Sequence, residues 1–155
     1  NFSEVCAMDA VYDFLCKEEL ANLRYYERRV AEIPEEIAEE RARITSIKSS
    51  TTGSTPVQGG GNNREEWLVS ALDHIDRLES DLKYFYGKVK LTYKALDVLD
   101  PEDKHILVVL YVDKIKYGAR QIAADLFIAE DTVWRRRTAA LNDYCRARHG
   151  GTECN

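Results

Sequence analysis

Two long apolar seams limit what this chain can fold into. From Leu15 to Ile47 apolar residues recur in steps of three and four: Leu23, Tyr26, Val30, Ile33, Ile37, Ile44 and Ile47, with Glu40 filling the missing slot. A second seam runs through Leu68, Ala71, Ile75, Leu78, Leu82, Phe85, Val89, Thr92, Leu96 and Leu99. Three-four spacing puts one side of a helix in contact with a neighbour and leaves the other sides wet. Two such seams joined by a loop bury each other most economically as an antiparallel helical hairpin, and pairing with a second chain would satisfy them equally. Pro34 lacks an N–H and clashes with the preceding turn, so a kink or a break into two helices is expected near Ile33.

The segment between the seams, residues 49–63 (SSTTGSTPVQGGGNN), has no periodicity and three consecutive glycines. That composition makes a flexible linker. It lacks the Lys and the strand-turn-helix setting of a phosphate-binding loop. Asn63 is placed to cap the second helix, with Glu65 and Glu66 in its first turn, where the helix dipole favours anions. Asp100-Pro101 ends that helix and begins another. Residues 101–113 then read as a short buried helix carrying Ile106, Leu107, Val109, Leu110 and Val112.

Two more helices are expected after it, from Gln121 to Leu126 and from Glu130 to Arg148, with a turn at Phe127 to Ala129. Ile122, Ala123 and Leu126 form the inner face of the first, and Val133, Ala140 and Leu141 that of the second. Three short helices in about 45 residues is the size of a helix-turn-helix unit. The fold expected is therefore all-α. A long coiled-coil-like hairpin spans residues 8–99, a helix-turn-helix domain spans 100–148, and a disordered tail spans 149–155. Residues 1–7, upstream of Met8, are given no role.

The formal net charge of −5 rules out a chain that is cationic throughout. Residues 114–149, however, carry eight bases and four acids, so the cationic surplus falls on the helix-turn-helix pattern. A basic helix projecting from such a unit enters the major groove, where Arg bonds guanine bidentately and neutralises phosphate. An all-helical mini-core with an exposed arginine face is the plain alternative.

The stretches PEDKHILVVLYVDK and ARQIAADLFIAEDTVWRRRTAALNDY resemble region four of bacterial sigma factors. More broadly, residues 10–147 are similar to phage-encoded late-gene transcription activators of the RinA and ArpU type, including their linker block, here ARITSIKSSTTGSTPVQGGGNN. The resemblance implies a sigma-like DNA-binding regulator of phage or prophage genes, without catalysis. EDTVWRRR falls at the recognition-helix position. By resemblance, Glu130, Asp131, Thr132, Trp134, Arg135 and Arg137 take groove-facing and phosphate-facing roles; Arg136, grouped with them as a DNA-binding candidate, lies one turn after Val133, where it can instead snorkel along the core edge. Gln121, at the start of the supporting helix, suits a backbone contact. Ala129 replaces the capping Ser usual in that group, and Arg136 replaces an apolar or aromatic residue.

No catalytic constellation is legible. His74, His105 and His149 are isolated, and Cys6, Cys16, Cys145 and Cys154 lack metal-site spacing, so no metal, no cofactor and free reduced thiols are expected. Asp97, Asp100, Glu102 and Asp103 read as helix-capping carboxylates. The band of Tyr84, Phe85, Tyr86 and Tyr93 reads as core and interface. No apolar run suits a membrane span or an export signal, and with that the resemblance implies the cytoplasm of a bacterial host cell.

The partners expected are double-stranded DNA, bacterial RNA polymerase, and a second copy bound through the long helices. A small terminase-like packaging subunit, which would assemble into a ring, and a helical adaptor using its arginines on an acidic protein are the competing readings.

Overall fold

The computed structural model describes residues 2–50 and 61–150, with side chains from 11 to 49 and from 63 to 150. Every regular element among them is helical: α1 (Phe2–Ser50), α2 (Gly61–Leu96), α3 (Pro101–Leu107) continued by a π-helical turn (Val108–Val112), α4 (Gly118–Leu126) and α5 (Glu130–His149). None of these helices is long and apolar enough to cross a membrane. Most of the expected linker, and residues 151–155 of the expected tail, lie outside the described residues.

Two compact units are present, and one of them is not a continuous stretch of chain. One consists of Glu27–Tyr86; the other joins the described parts of Asn1–Tyr26 and Gly87–Asn155. In the first, Ile33, Ile37 and Ile44 of α1 pack on Ala71, Ile75 and Leu78 of α2. The seams thus satisfy each other within one chain. The Arg43 guanidinium lies over the Trp67 ring at 5.1 Å, and Arg41 bonds Glu79 at 2.7 Å, so the two helices run antiparallel. Glu40, in the apolar seam's empty slot, pairs with Arg43 at 2.5 Å. Phe85 packs against this core, whereas Tyr84 and Tyr86 are exposed, so the aromatic band is not uniformly interior.

Three local expectations need correction. α1 passes unbroken through Pro34, so the expected break is absent. The apolar seam continues on both sides, with Ile33 and Ile37 buried, and this tertiary burial offsets the cost of one missing hydrogen bond. α2 starts at Gly61, which places Asn63 inside the helix rather than at its cap and leaves Glu65 and Glu66 beyond the first turn. Cys16 and Cys145 are not free thiols: they form a disulfide, with Cα atoms 5.9 Å apart. At a sequence separation of 129, no local spacing announces the pair.

The second unit has two apolar clusters. Cys16, Leu20 and Leu23 of α1 and Ala95 and Leu96 of α2 close over Leu107, Val112, Ala140, Leu141 and Tyr144. Ile106, Val109, Ala119, Ile122 and Val133 form the other, joining α3, α4 and α5. The approach of α4 to the π-helical turn is close at Gly118, where a Cβ would sit 3.0 Å from Val109 Cγ1 and that side chain would have to give way. Arg24 secures the end of that turn by donating from Nε to Asp113 Oδ1 at 2.8 Å.

A buried polar knot joins α1 to α5 beside the disulfide. Tyr144 donates its hydroxyl to Glu19 at 2.5 Å, Arg148 donates from Nε to the same carboxylate at 2.8 Å, and Lys88 Nζ lies 3.5 Å away. Burial alone would raise the Glu19 pKa. The hydrogen bonds from Tyr144 and Arg148, with the charges of Arg148 and Lys88, outweigh burial and hold it below the ordinary carboxylate value. Burial and the Glu19 carboxylate push the Tyr144 phenol well above its ordinary value.

Candidate nucleic-acid interface

The surface that matches the cationic segment is built by α4, a three-residue turn and α5. α4 begins three residues earlier than its apolar pattern predicts, and α5 begins at the expected Glu130. Phe127 ends α4 in the left-handed conformation (φ 55, ψ 41), and the turn closes with Ile128 N–H donating to the Ala123 carbonyl at 3.0 Å. Ala129 is the N-cap of α5 and makes no side-chain cap, as its methyl group dictates. Glu130 and Asp131 lie in the first turn, where the helix dipole favours them.

Successive helical residues are about 100° apart, so three adjacent arginines fan across most of the helix circumference. They separate accordingly. Arg135 points outward and donates from Nη2 to Thr132 Oγ1 at 3.3 Å. Arg137 lies over the Trp134 ring, 5.1 Å from its centroid, within cation–π range. Arg136 turns inward to α3: it donates from Nη2 to Asp103 Oδ1 at 2.8 Å, from Nε to the same oxygen at 3.2 Å, and from Nη1 to Glu102.

The Glu102 hydrogen bond and the Asp103 carboxylate raise the Arg136 pKa further against the pull of burial. Arg136 therefore fixes α5 on α3 rather than standing in the groove-facing set. Glu102 and Asp103 do more than favour a helix terminus, because they are its anchors. Asp97, placed with them as a capping group, instead holds Lys104 at 2.5 Å.

Of the remaining expected residues, Gln121, Glu130, Asp131, Trp134 and Arg135 are exposed, and Thr132 and Arg137 are half-buried. Val133, Ala140, Leu141 and Tyr144 form the buried side of α5. On the opposite side, Asp131, Arg135, Thr138, Asn142 and Arg146 make an exposed polar stripe at helical spacing. The last three were not singled out from the sequence. Steps of four, three, four and four from Asp131 find them.

Lys114, Lys116 and Arg120 are further exposed bases, at the loop and first turn of α4. Among the described residues no group of three or more His, Cys, Asp or Glu is arranged to hold a metal ion. The chain matches no family model, no curated protein and no solved structure.

Proposed function

We propose that this chain is a sigma region-four-like, DNA-binding transcription regulator of phage or prophage genes, a late-gene activator acting in the bacterial cytoplasm. In this reading α4 and α5 are a helix-turn-helix, α5 lies in the major groove of duplex DNA, and α4 crosses the phosphate backbone through Gln121 and Arg120. The observation that carries it is the polar outward stripe of α5 falling within the one cationic segment of an otherwise acidic chain. Those side chains have matching base-edge chemistry: Arg135 for guanine, Asn142 for adenine and Asp131 for the cytosine amino group. RNA polymerase and a second copy of the chain are the protein partners proposed with it.

Replacing Arg135 with Ala is expected to weaken binding to a selected duplex by roughly ten- to a hundred-fold, the value of one bidentate base contact, and to relax preference at one base pair. Replacing Lys116 with Ala should weaken all duplexes evenly and flatten the salt dependence by about one unit. Competition titrations against single-base variants separate the two. Unchanged affinity and preference in the Arg135 variant would remove α5 from the reading role.

A further inference from the structure

Phe127 is costly to this fold in two ways and gives nothing visible in return. Its left-handed backbone is free for glycine but strained for any residue with a Cβ. Its ring is 96% exposed and belongs to none of the buried clusters, although its neighbours Leu126 and Ile128 both pack inward. The turn itself needs only the left-handed conformation, which glycine would supply. Tyr117, the other exposed aromatic in this conformation, differs in having an intramolecular partner, since Lys116 Nζ lies 5.2 Å from its ring centroid. Backbone strain that the turn itself does not require points to a role for this side chain outside the chain.

The surroundings select the kind of contact. Asp125, Glu130 and Asp131, the charged residues nearest to it in sequence, are all exposed and all acidic. Such a surface repels phosphate. It suits the floor of the major groove, where the thymine methyl is apolar and the adenine N6 and cytosine N4 amino groups donate to carboxylates.

We propose, resting on the DNA-reading function above, that Phe127 reads thymine, its ring packing on the C5 methyl group while Glu130 and Asp131 accept from neighbouring exocyclic amines. Specificity at that step then comes from apolar contact rather than from an arginine.

The test uses the full chain and a duplex enriched by it from a random-sequence pool, resynthesised with deoxyuridine in place of each thymidine in turn. Wild type is expected to lose about four-fold in affinity at one position, the value of one buried methyl group. Phe127→Gly, whose melting temperature should not fall because the strain is relieved, is expected to lose a similar factor on the thymidine duplex and to be indifferent to deoxyuridine there.

Undiminished affinity in Phe127→Gly would make the ring a protein contact and overturn the proposal. So would a deoxyuridine effect that persists in the variant, or indifference of the wild-type chain to every substitution. In those cases DNA reading itself stands. Failure of the wild-type chain to enrich any duplex removes the function and this inference together.

Discussion

Reducing the Cys16–Cys145 bridge, or replacing Cys145 with Ser, is expected to destabilise the unit that carries α5 by about 3–5 kcal/mol. The reason is the length of the loop that the bridge closes. For a sequence separation of 129, the chain-entropy relation gives a ceiling of about 5 kcal/mol, and measured effects fall at or below such ceilings. Against a typical total of about 5–15 kcal/mol for a whole domain, that is a large share.

Urea unfolding followed by circular dichroism, with and without dithiothreitol, measures it directly. The wild-type midpoint should fall on reduction, and that of Cys145→Ser should start low and stay there. Coincident midpoints in all four conditions would show that the bridge contributes nothing. The bond lies in the second half of α5, beyond the outward residues Asp131 and Arg135. Reduction is therefore expected to act on the stability of the helix more than on its base contacts.

The second large effect is expected at Glu19. Its carboxylate is 6% exposed and the Arg148 side chain 13%, so Glu19→Ala leaves a largely buried guanidinium and the Tyr144 hydroxyl without their acceptor. Removing one member of a buried pair costs about 3–5 kcal/mol. The pH dependence has a definite sign. Because the folded-state pKa of Glu19 lies below its ordinary value, its contribution is complete above the ordinary carboxylate range and is lost as pH falls through the folded value.

Wild type should therefore lose stability on acidification below about pH 4.5, the ordinary value, and Glu19→Gln should show a shallower acid limb from a lower starting point. Equal acid limbs would exclude Glu19 as a source of acid sensitivity. Cys16 and Glu19 are one helical turn apart, as are Cys145 and Arg148. The two ties share a contact, and combined substitutions should fall short of additivity.

Elements with local signals were legible in the sequence. The two seams placed α1 and α2 because three-four spacing is a property of neighbouring residues, and Asp100-Pro101 and the Phe127–Ala129 turn placed the later boundaries. What was not legible depends on distant pairing. Nothing near Glu19 in the sequence points to Tyr144 or Arg148, and nothing near Cys16 points to Cys145. Pro34 does not break α1 because its local cost is set against burial of Ile33 and Ile37, which is tertiary.

At the candidate interface, the arginine run by itself does not show which partner holds Arg136. Arg136 is diverted by Glu102 and Asp103, more than thirty residues earlier. Asn142 and Arg146 lie beyond the run of charge, and only the helix geometry puts them on the same side as Arg135. Phe127 escaped because exposure and a left-handed backbone become visible only once the turn is built.

The most direct test of the central claim is a fluorescence-anisotropy titration of the purified chain against duplex DNA from its own gene neighbourhood and a scrambled duplex. It is run at two salt concentrations, with particle mass measured by light scattering. The account predicts tighter binding to the native duplex by about a thousand-fold or more, weakening as salt rises, from a monomer or dimer. Equal and weak binding to both duplexes would contradict it and turn the outward face of α5 into a protein-contact surface.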